Sequence, residues 1–410
     1  YYAVLCYLLG DFKPYLWRTD DYGASWTLLT DGSNGIAANE PTRVVREDPK
    51  REGLLYAGTE FGMYVSFDNG ARWRSFQLNL PATPITDMKV HRDDLVLSTQ
   101  GRSFWILDNL TALHQLASNT ATESAHLLAP RDAVRARYSG SFGGVEDSRN
   151  DPADPQYPPA GAMIDYWIAP ALAGPVTLEV LDARGVVVRS FSSEGAGETT
   201  TTEPSMRQMI TVRSGAPRLP RNPGMNRFTW DLTLPGAWSM IAAQSGRNGP
   251  TIVPGRYQVR LTAGTTTVAQ SLTVRIDPRA AADGITIADL QAQYDHNVKV
   301  RNLVTEVNRL VATLDEQRRR LAGAGATAAD TVRGINALRA TVVTPPVRYS
   351  RPALQSHIQY LYGLTSQADQ RIGRDATERY VTLRQELDIT MARARALLGA
   401  SVIDKTRVVP

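Results

Sequence analysis

Two hydrophobic periods divide this chain. Up to about residue 277 the apolar positions come in short runs with a two-residue step, as in Thr177-Leu178-Glu179-Val180 and Tyr257-Gln258-Val259-Arg260-Leu261. That step predicts strands with one buried face. From residue 278 the step lengthens to three and four. Leu290, Tyr294, Val298, Leu303, Val307, Leu310 and Leu314 then fall on one helical face, with Asp283 and Asp289 near its start and Arg318, Arg319 and Arg320 near its end, which suits the helix dipole. The pattern predicts a multidomain chain that is mainly β and then α.

The front predicts ten short strands, at 1–9, 15–18, 26–29, 42–47, 54–58, 63–67, 73–77, 85–91, 95–99 and 103–107. They are rich in β-formers and bounded by Gly, Asp, Asn and Pro. A turn signature recurs between them. Thr19-Asp20-Asp21-Tyr22-Gly23-Ala24-Ser25-Trp26 reads Ser/Thr-x-Asp-x-Gly-x-x-Trp, and Ser66-Phe67-Asp68-Asn69-Gly70-Ala71-Arg72-Trp73 repeats it 47 residues later. A degraded copy sets Asp108 against Asp68, with Thr99 against Thr59, Phe104 against Tyr64 and Asn109 against Asn69, at an offset of 40. A turn Asp accepts backbone N–H groups two residues on. The Gly supplies a positive φ. The Trp buries apolar area and offers its N–H to a carbonyl. Strands repeating every 40–47 residues predict β-propeller blades.

These residues resemble the Asp boxes, or BNR repeats, of sialidase-like and sortilin-like (VPS10) propellers. The likeness extends through 57–68 and 100–108, to the end of the propeller in large bacterial secreted proteins labelled sortilin-like or glycosyl hydrolase. In that family the Asp boxes sit away from the ligand face, so Thr19, Asp21, Gly23, Trp26, Ser66, Asp68, Gly70, Trp73 and Asp108 are implied to be structural. Propellers need about four to eight four-stranded blades. Residues 1–116 supply about two and a half and expose sheet edges, so the remaining blades are expected upstream or from a partner chain.

Residues 117–160 read as a polar, Gly- and Pro-rich linker in which 125–136 packs back as a short strand. Residues 161–277 predict a small β-sandwich with strands at 163–168, 176–181, 186–191, 226–232, 255–262 and 267–276. Gly224-Met225-Asn226-Arg227-Phe228-Thr229-Trp230-Asp231, with Val253-Pro254-Gly255-Arg256-Tyr257, resembles the FlgD-type Ig-like or fibronectin III-like module. Residues 193–222 and 236–252 read as long loops. Residues 278–410 predict four helices in an antiparallel bundle: the long one, then 331–343, stopped by Pro345-Pro346, then 352–368 and 376–398.

Composition narrows the partners. Forty-two per cent of the 410 residues are hydrophobic and the net charge is +4. Without a long basic run, nucleic acid is not an expected partner. Cys6 is the one cysteine, so no disulfide closes within the chain. No stretch reaches the roughly 18 apolar residues of a membrane span. The first residues lack the charged start and cleavage site of a signal peptide. The chain opens inside a strand pattern and not on Met, so an upstream portion with any export signal is expected, and with it a periplasmic or extracellular location.

Candidate chemistry is sparse. There is no His-Glu-x-x-His, Gly-x-Ser-x-Gly or phosphate-loop pattern. His91, His114, His126, His296 and His357 are scattered, and no cofactor is called for. Glycoside hydrolysis needs two flanking carboxyl groups. Glu60, with Asp87 and Arg102 on neighbouring blades, is the candidate set; the alternative is an inter-blade salt bridge or polar pore lining. The Phe/Tyr-Arg-Ile-Pro segment of sialidases is absent. Asp147, Asn150, Asp151 and Asp154 form an oxygen-rich cluster as a candidate calcium site, although no EF-hand spacing fits. Trp238 and Met240 stand out in a loop as docking residues. The leading expectation is a non-catalytic binding or scaffold protein whose propeller takes a protein or glycan. The alternatives are a sialidase-like hydrolase with its catalytic residues in upstream blades, and an accessory subunit of a larger assembly.

Overall fold

The computed structural model describes residues 1–5, 9–116, 124–137, 160–194, 199–205, 208–214, 217–241, 244–323 and 325–408. It forms two compact units, Tyr1–Ser118 and Asn119–Pro410. The Asp147, Asn150, Asp151 and Asp154 cluster and Cys6 lie outside the described residues.

The first unit holds three antiparallel sheets. The first comprises β1 (Tyr2–Val4), β2 (Tyr15–Arg18) and β3 (Thr27–Leu28). The second comprises β4 (Thr42–Glu47), β5 (Leu55–Thr59), β6 (Met63–Ser66) and β7 (Arg74–Ser75). The third comprises β8 (Ile85–His91), β9 (Asp94–Thr99) and β10 (Phe104–Leu107), followed by the short helix α1 (Thr111–Gln115). Each sheet is a meander, so short turns suffice. The strands at 26–29 and 73–77 shrink to two residues each, because Trp26 and Trp73 belong to the corners that precede them.

Alternation along the strands gives the second sheet two apolar faces. Val45, Leu55, Ala57 and Tyr64 pack against Leu16 and Ala3 of the first sheet and Leu29 just after it. Val44, Leu54, Tyr56, Met63 and Val65 pack against Ile85, Met88, Leu95 and Leu97 of the third. A Cβ on Gly58 would lie 2.7 Å from the Ile85 side chain and 2.8 Å from that of Val44. Glycine there lets the second and third sheets approach.

In the second unit, β11 (Ala125–Leu127), β13 (Ala162–Ile168) and β18 (Gly224–Trp230) form one sheet. Its partner has the order β12 (Ala133–Arg135), β20 (Thr266–Ile276), β19 (Gly255–Ala263), β14 (Val176–Leu181) and β15 (Val187–Ser192). The two share one core that includes Ile164, Tyr166, Phe228 and Trp230 from the first sheet and Leu178, Val180, Val259, Leu261 and Leu272 from the second. The stretch expected as linker thus contributes a strand to each sheet: β11 pairs with β13 and β12 runs parallel to β20. The segment 193–222, expected as a loop, contains the hairpin β16 (Thr199–Ser205) and β17 (Gln208–Ser214). A run of four Thr, a β-branched residue that suits extended backbone, outweighs the Gly and Pro around it.

The helices follow the sequence periods: α2 (Pro278–Ala282), α3 (Ile287–Leu321), α4 (Ala326–Val342), α5 (Leu354–Ser366), α6 (Arg374–Leu398) and α7 (Ala400–Ile403). Thr286 and Asp289 cap α3 reciprocally, each side chain accepting the other's amide, at 3.1 and 2.9 Å. Tyr294 and Val298, early in α3, lean on the sandwich core. Further along, Leu303, Val307, Leu310 and Leu314 meet Ile335, Ile358, Leu387 and Met391 of the other helices. No helix is long and apolar enough to cross a membrane, among the described residues.

Candidate functional site

The repeated corners are built alike. In the first, Thr19 Oγ1 accepts the Gly23 amide at 2.7 Å and donates to Asp21 Oδ1 at 2.8 Å, and Asp21 Oδ1 accepts the Ser25 amide at 2.8 Å. In the second, Ser66 Oγ accepts the Gly70 amide at 2.9 Å and donates to Asp68 Oδ1 at 2.8 Å, which accepts the Arg72 amide at 2.9 Å. The carboxylate therefore reaches four residues on, where two were expected, because the hydroxyl at the corner's start takes the intervening glycine. Tyr22-Gly23 (φ 58° and 93°) and Asn69-Gly70 (φ 60° and 87°) are both left-handed pairs. The hydroxyl and amide of Ser25, with the Thr19 hydroxyl, hold the Asp21 carboxyl down at about 2.

The third copy differs. Its hairpin turn closes from Thr99 N to Ser103 O, where the second closes from Thr59 N to Gly62 O. This one extra residue shifts the register: Leu97 faces Trp105 as Ala57 faces Tyr64. Trp105, not Phe104, is the counterpart of Tyr64. At the corner, Asp94 accepts the Asn109 amide and Asn109 Oδ1 accepts the Thr111 amide. Asn109 is left-handed at φ 65°. The Trp N–H also varies. Trp26 donates to Gly23 O at 3.1 Å; the third copy has no Trp at its corner, and Trp105, on β10, donates to Arg102 O at 2.9 Å. Trp73 is turned into the core, and its indole nitrogen has no acceptor among the described residues.

The three candidate catalytic residues do not converge. Glu60 sits in the β5–β6 turn, and its Oε1 takes Arg43 Nε at 2.7 Å and Nη2 at 2.6 Å. Arg43 reaches on to Gln100 at 3.4 Å. Asp87, on β8, instead binds Arg46 of β4 at 2.6 Å, a bridge from the second sheet to the third. Arg102 lies exposed in the β9–β10 turn. Each carboxylate has its own guanidinium, and the pair of carboxyl groups that hydrolysis requires is not assembled. Sequence reasoning missed Arg43 and Arg46. The pairing of Thr42 with Thr59 is the signal that puts Arg43 beside Glu60, and it needs the strand register.

A second polar knot lies under α1. Asp48 Oδ2 accepts Tyr56 Oη and meets His114 Nε2, both at 2.9 Å, while Oδ1 accepts the Lys50 amide at 2.8 Å. Burial pushes this carboxyl up, but the Lys50 amide, His114 and Tyr56 outweigh it and hold it below its ordinary value. The knot fastens α1 to the sheet. Among the described residues no group of His, Cys, Asp and Glu is arranged to hold a metal ion. In the second unit the loop with Trp238 docks on α3: the Trp238 amide donates to Thr305 Oγ1 at 3.1 Å, and its carbonyl accepts Asn308 Nδ2 at 2.8 Å. Met240 stays exposed.

Comparison with protein-family models finds no match, and no curated protein matches. Among solved structures, the extracellular domain of a putative hybrid two-component system from B. thetaiotaomicron aligns at 11% identity with a TM-score of 0.19. The alignment covers 67% of this chain and 31% of that one.

Proposed function

We propose that the first unit is a run of three adjacent blades of an Asp-box β-propeller. In this reading the chain belongs to a periplasmic or extracellular binding or scaffold protein that presents propeller loops to a protein or glycan. The sandwich, of Ig-like or fibronectin III-like type, and the helical bundle act as spacer and docking modules.

One positional relation carries the reading. Tyr2 faces Trp17 on the first sheet as Ala57 faces Tyr64 on the second and Leu97 faces Trp105 on the third. The later two pairs pack on the preceding sheet. The first pair lies open, in an apolar hollow of about 350 Å³ shared with Val4 and Trp26. At the other end Phe104 and Ile106 hold the places of Met63 and Val65. They are exposed, while Met63 and Val65 are buried. Both end faces therefore have the chemistry of faces covered by a neighbouring sheet, and closing a ring covers both. The further blades come from upstream in the same protein or from a partner chain.

Sedimentation velocity tests this. The chain self-associates through its two open faces, and Trp17→Lys combined with Phe104→Lys makes it monomeric. Self-association undiminished in that double variant would overturn the reading that these two faces are ones a neighbouring blade covers. A panel of aryl glycosides tests the binding role, and no turnover is expected because Glu60 and Asp87 are each held by an arginine. Turnover that Glu60→Gln abolishes would replace binding by hydrolysis.

A further inference from the structure

A cleft of about 430 Å³ opens beside β15, walled by residues from three separate segments. That volume lies within the roughly 300–1,000 Å³ of small-molecule sites. Arg189, Ser190 and Ser192 come from β15, Arg218 from the strand-like approach to β18, and Ser245 and Arg247 from the turn after the docked loop. Glu194 is the one carboxylate on the wall, against three guanidiniums.

The charge of Arg189 is poorly compensated. Arg189 forms no ion pair among the described residues, and its Nε is buried without a hydrogen-bond partner among them. Its guanidinium lies over the Phe191 ring, 5.3 Å from the centroid. Burial holds it below its ordinary value, and the field of Asp231 pulls the other way. Arg218 spends its Nε on the Ser193 carbonyl, which leaves its forked end for another acceptor. A desolvated guanidinium costs free energy unless an anion meets it. Guanidiniums take carboxylate, sulfate and phosphate through paired N–H donors.

We propose that this cleft binds a saccharide-sized ligand through an oxyanion, the Arg189 and Arg218 guanidiniums gripping the anionic group and the Ser245 hydroxyl meeting a hydroxyl of the ligand. All of these residues belong to the second unit, and the proposal does not depend on a propeller in the first.

Calorimetric titration of the whole chain at low salt tests it with three probes: D-glucuronate, glucose and inorganic phosphate. Glucuronate binds, glucose does not, and phosphate binds more weakly because it leaves most of the cleft unfilled. Arg189→Gln and Arg218→Gln each weaken glucuronate at least tenfold, about 1.4 kcal/mol. Arg218 is exposed, so its variant tests binding without risk to the core. Added salt weakens binding in the native chain. Absence of glucuronate binding overturns the proposal, as does an affinity unchanged in both variants. Phosphate binding as tightly as glucuronate overturns the saccharide part.

Discussion

Trp26 and Trp73 occupy the same place in two copies of one corner, yet Trp26 is 47% exposed and Trp73 4%. Nothing local distinguishes them, since the same Ser/Thr, Asp and Gly contacts precede both. The difference is the neighbour. Trp73 lies under residues 34–36, where its amide donates to Asn34 O at 2.8 Å and a Cβ on Gly35 would sit 2.0 Å from the Trp73 carbonyl oxygen. Trp26 meets Tyr2 edge to face at 6.2 Å and lines an open hollow with Val4 and Trp17.

The corners predict a graded stability series. Ser66 is buried, and its hydroxyl both accepts Gly70 and donates to Asp68. Ser66→Ala leaves a buried amide unpaired and costs about 1–3 kcal/mol. Thr19→Ala removes the same bonds in a wet corner and costs less. Asp68→Ala and Asp21→Ala also destabilise, without touching the cleft beside β15. Denaturant unfolding ranks them, and equal midpoints for Ser66→Ala and the native chain would contradict the account.

Gly58 gives a packing test. A methyl group there enters contacts already filled by Ile85 and Val44. Gly58→Ala overpacks the joint between the second and third sheets and costs about 1–3 kcal/mol. In an Ile85→Ala background Gly58→Ala costs less than it does in the native chain, because alanine lacks the Ile85 Cγ2 that would lie 2.8 Å from the new methyl group. An equal cost in the two backgrounds would place the strain elsewhere.

These details show what could be read from the residues alone. The corner motif and the helical faces were legible because each is encoded within about eight residues or by a fixed period. The slip of the third copy was not, since one extra turn residue changes which of Phe104 and Trp105 faces inward while leaving a plausible alignment. Glu60 and Asp87 could be picked out as acids, but their partners Arg43 and Arg46 depend on strand register. The Arg189–Arg218–Arg247 cleft is assembled from distant segments, so no spacing announces it. The hairpin of β16 and β17 was hidden by its Gly- and Pro-rich flanks.

The second unit is tied across its layers by Asp369, in the connection between α5 and α6. Its Oδ1 meets both Arg135 and Arg137 at 3.1 Å. Arg135 is 2% exposed, and burial pulls its guanidinium down to about 10. Asp369→Ala strands that cation and costs roughly 3–5 kcal/mol. Arg137→Ala, at a partly exposed site, costs about 1 kcal/mol. Comparable losses from both substitutions in thermal unfolding would show that Arg135 is satisfied without the carboxylate.

His296 makes stability depend on pH in a definite direction. It is buried on α3, edge-on to Tyr380 at 6.0 Å, and its Nε2 has no partner among the described residues. Burial, and then the charge of Lys299, lower its pKa from 6.5. The unfolded chain therefore binds the proton more readily than the folded one. The contribution of the neutral ring is fully present above about pH 6.5 and is lost as pH falls from there through the lowered folded value. His296→Phe keeps the ring contact with Tyr380 and removes the titration. At pH 8 it should lie within about 1.5 kcal/mol of the native chain, and between pH 7 and 5 its stability should fall less steeply. Parallel curves for the two proteins over that range would show that His296 is protonated as easily when folded as when unfolded.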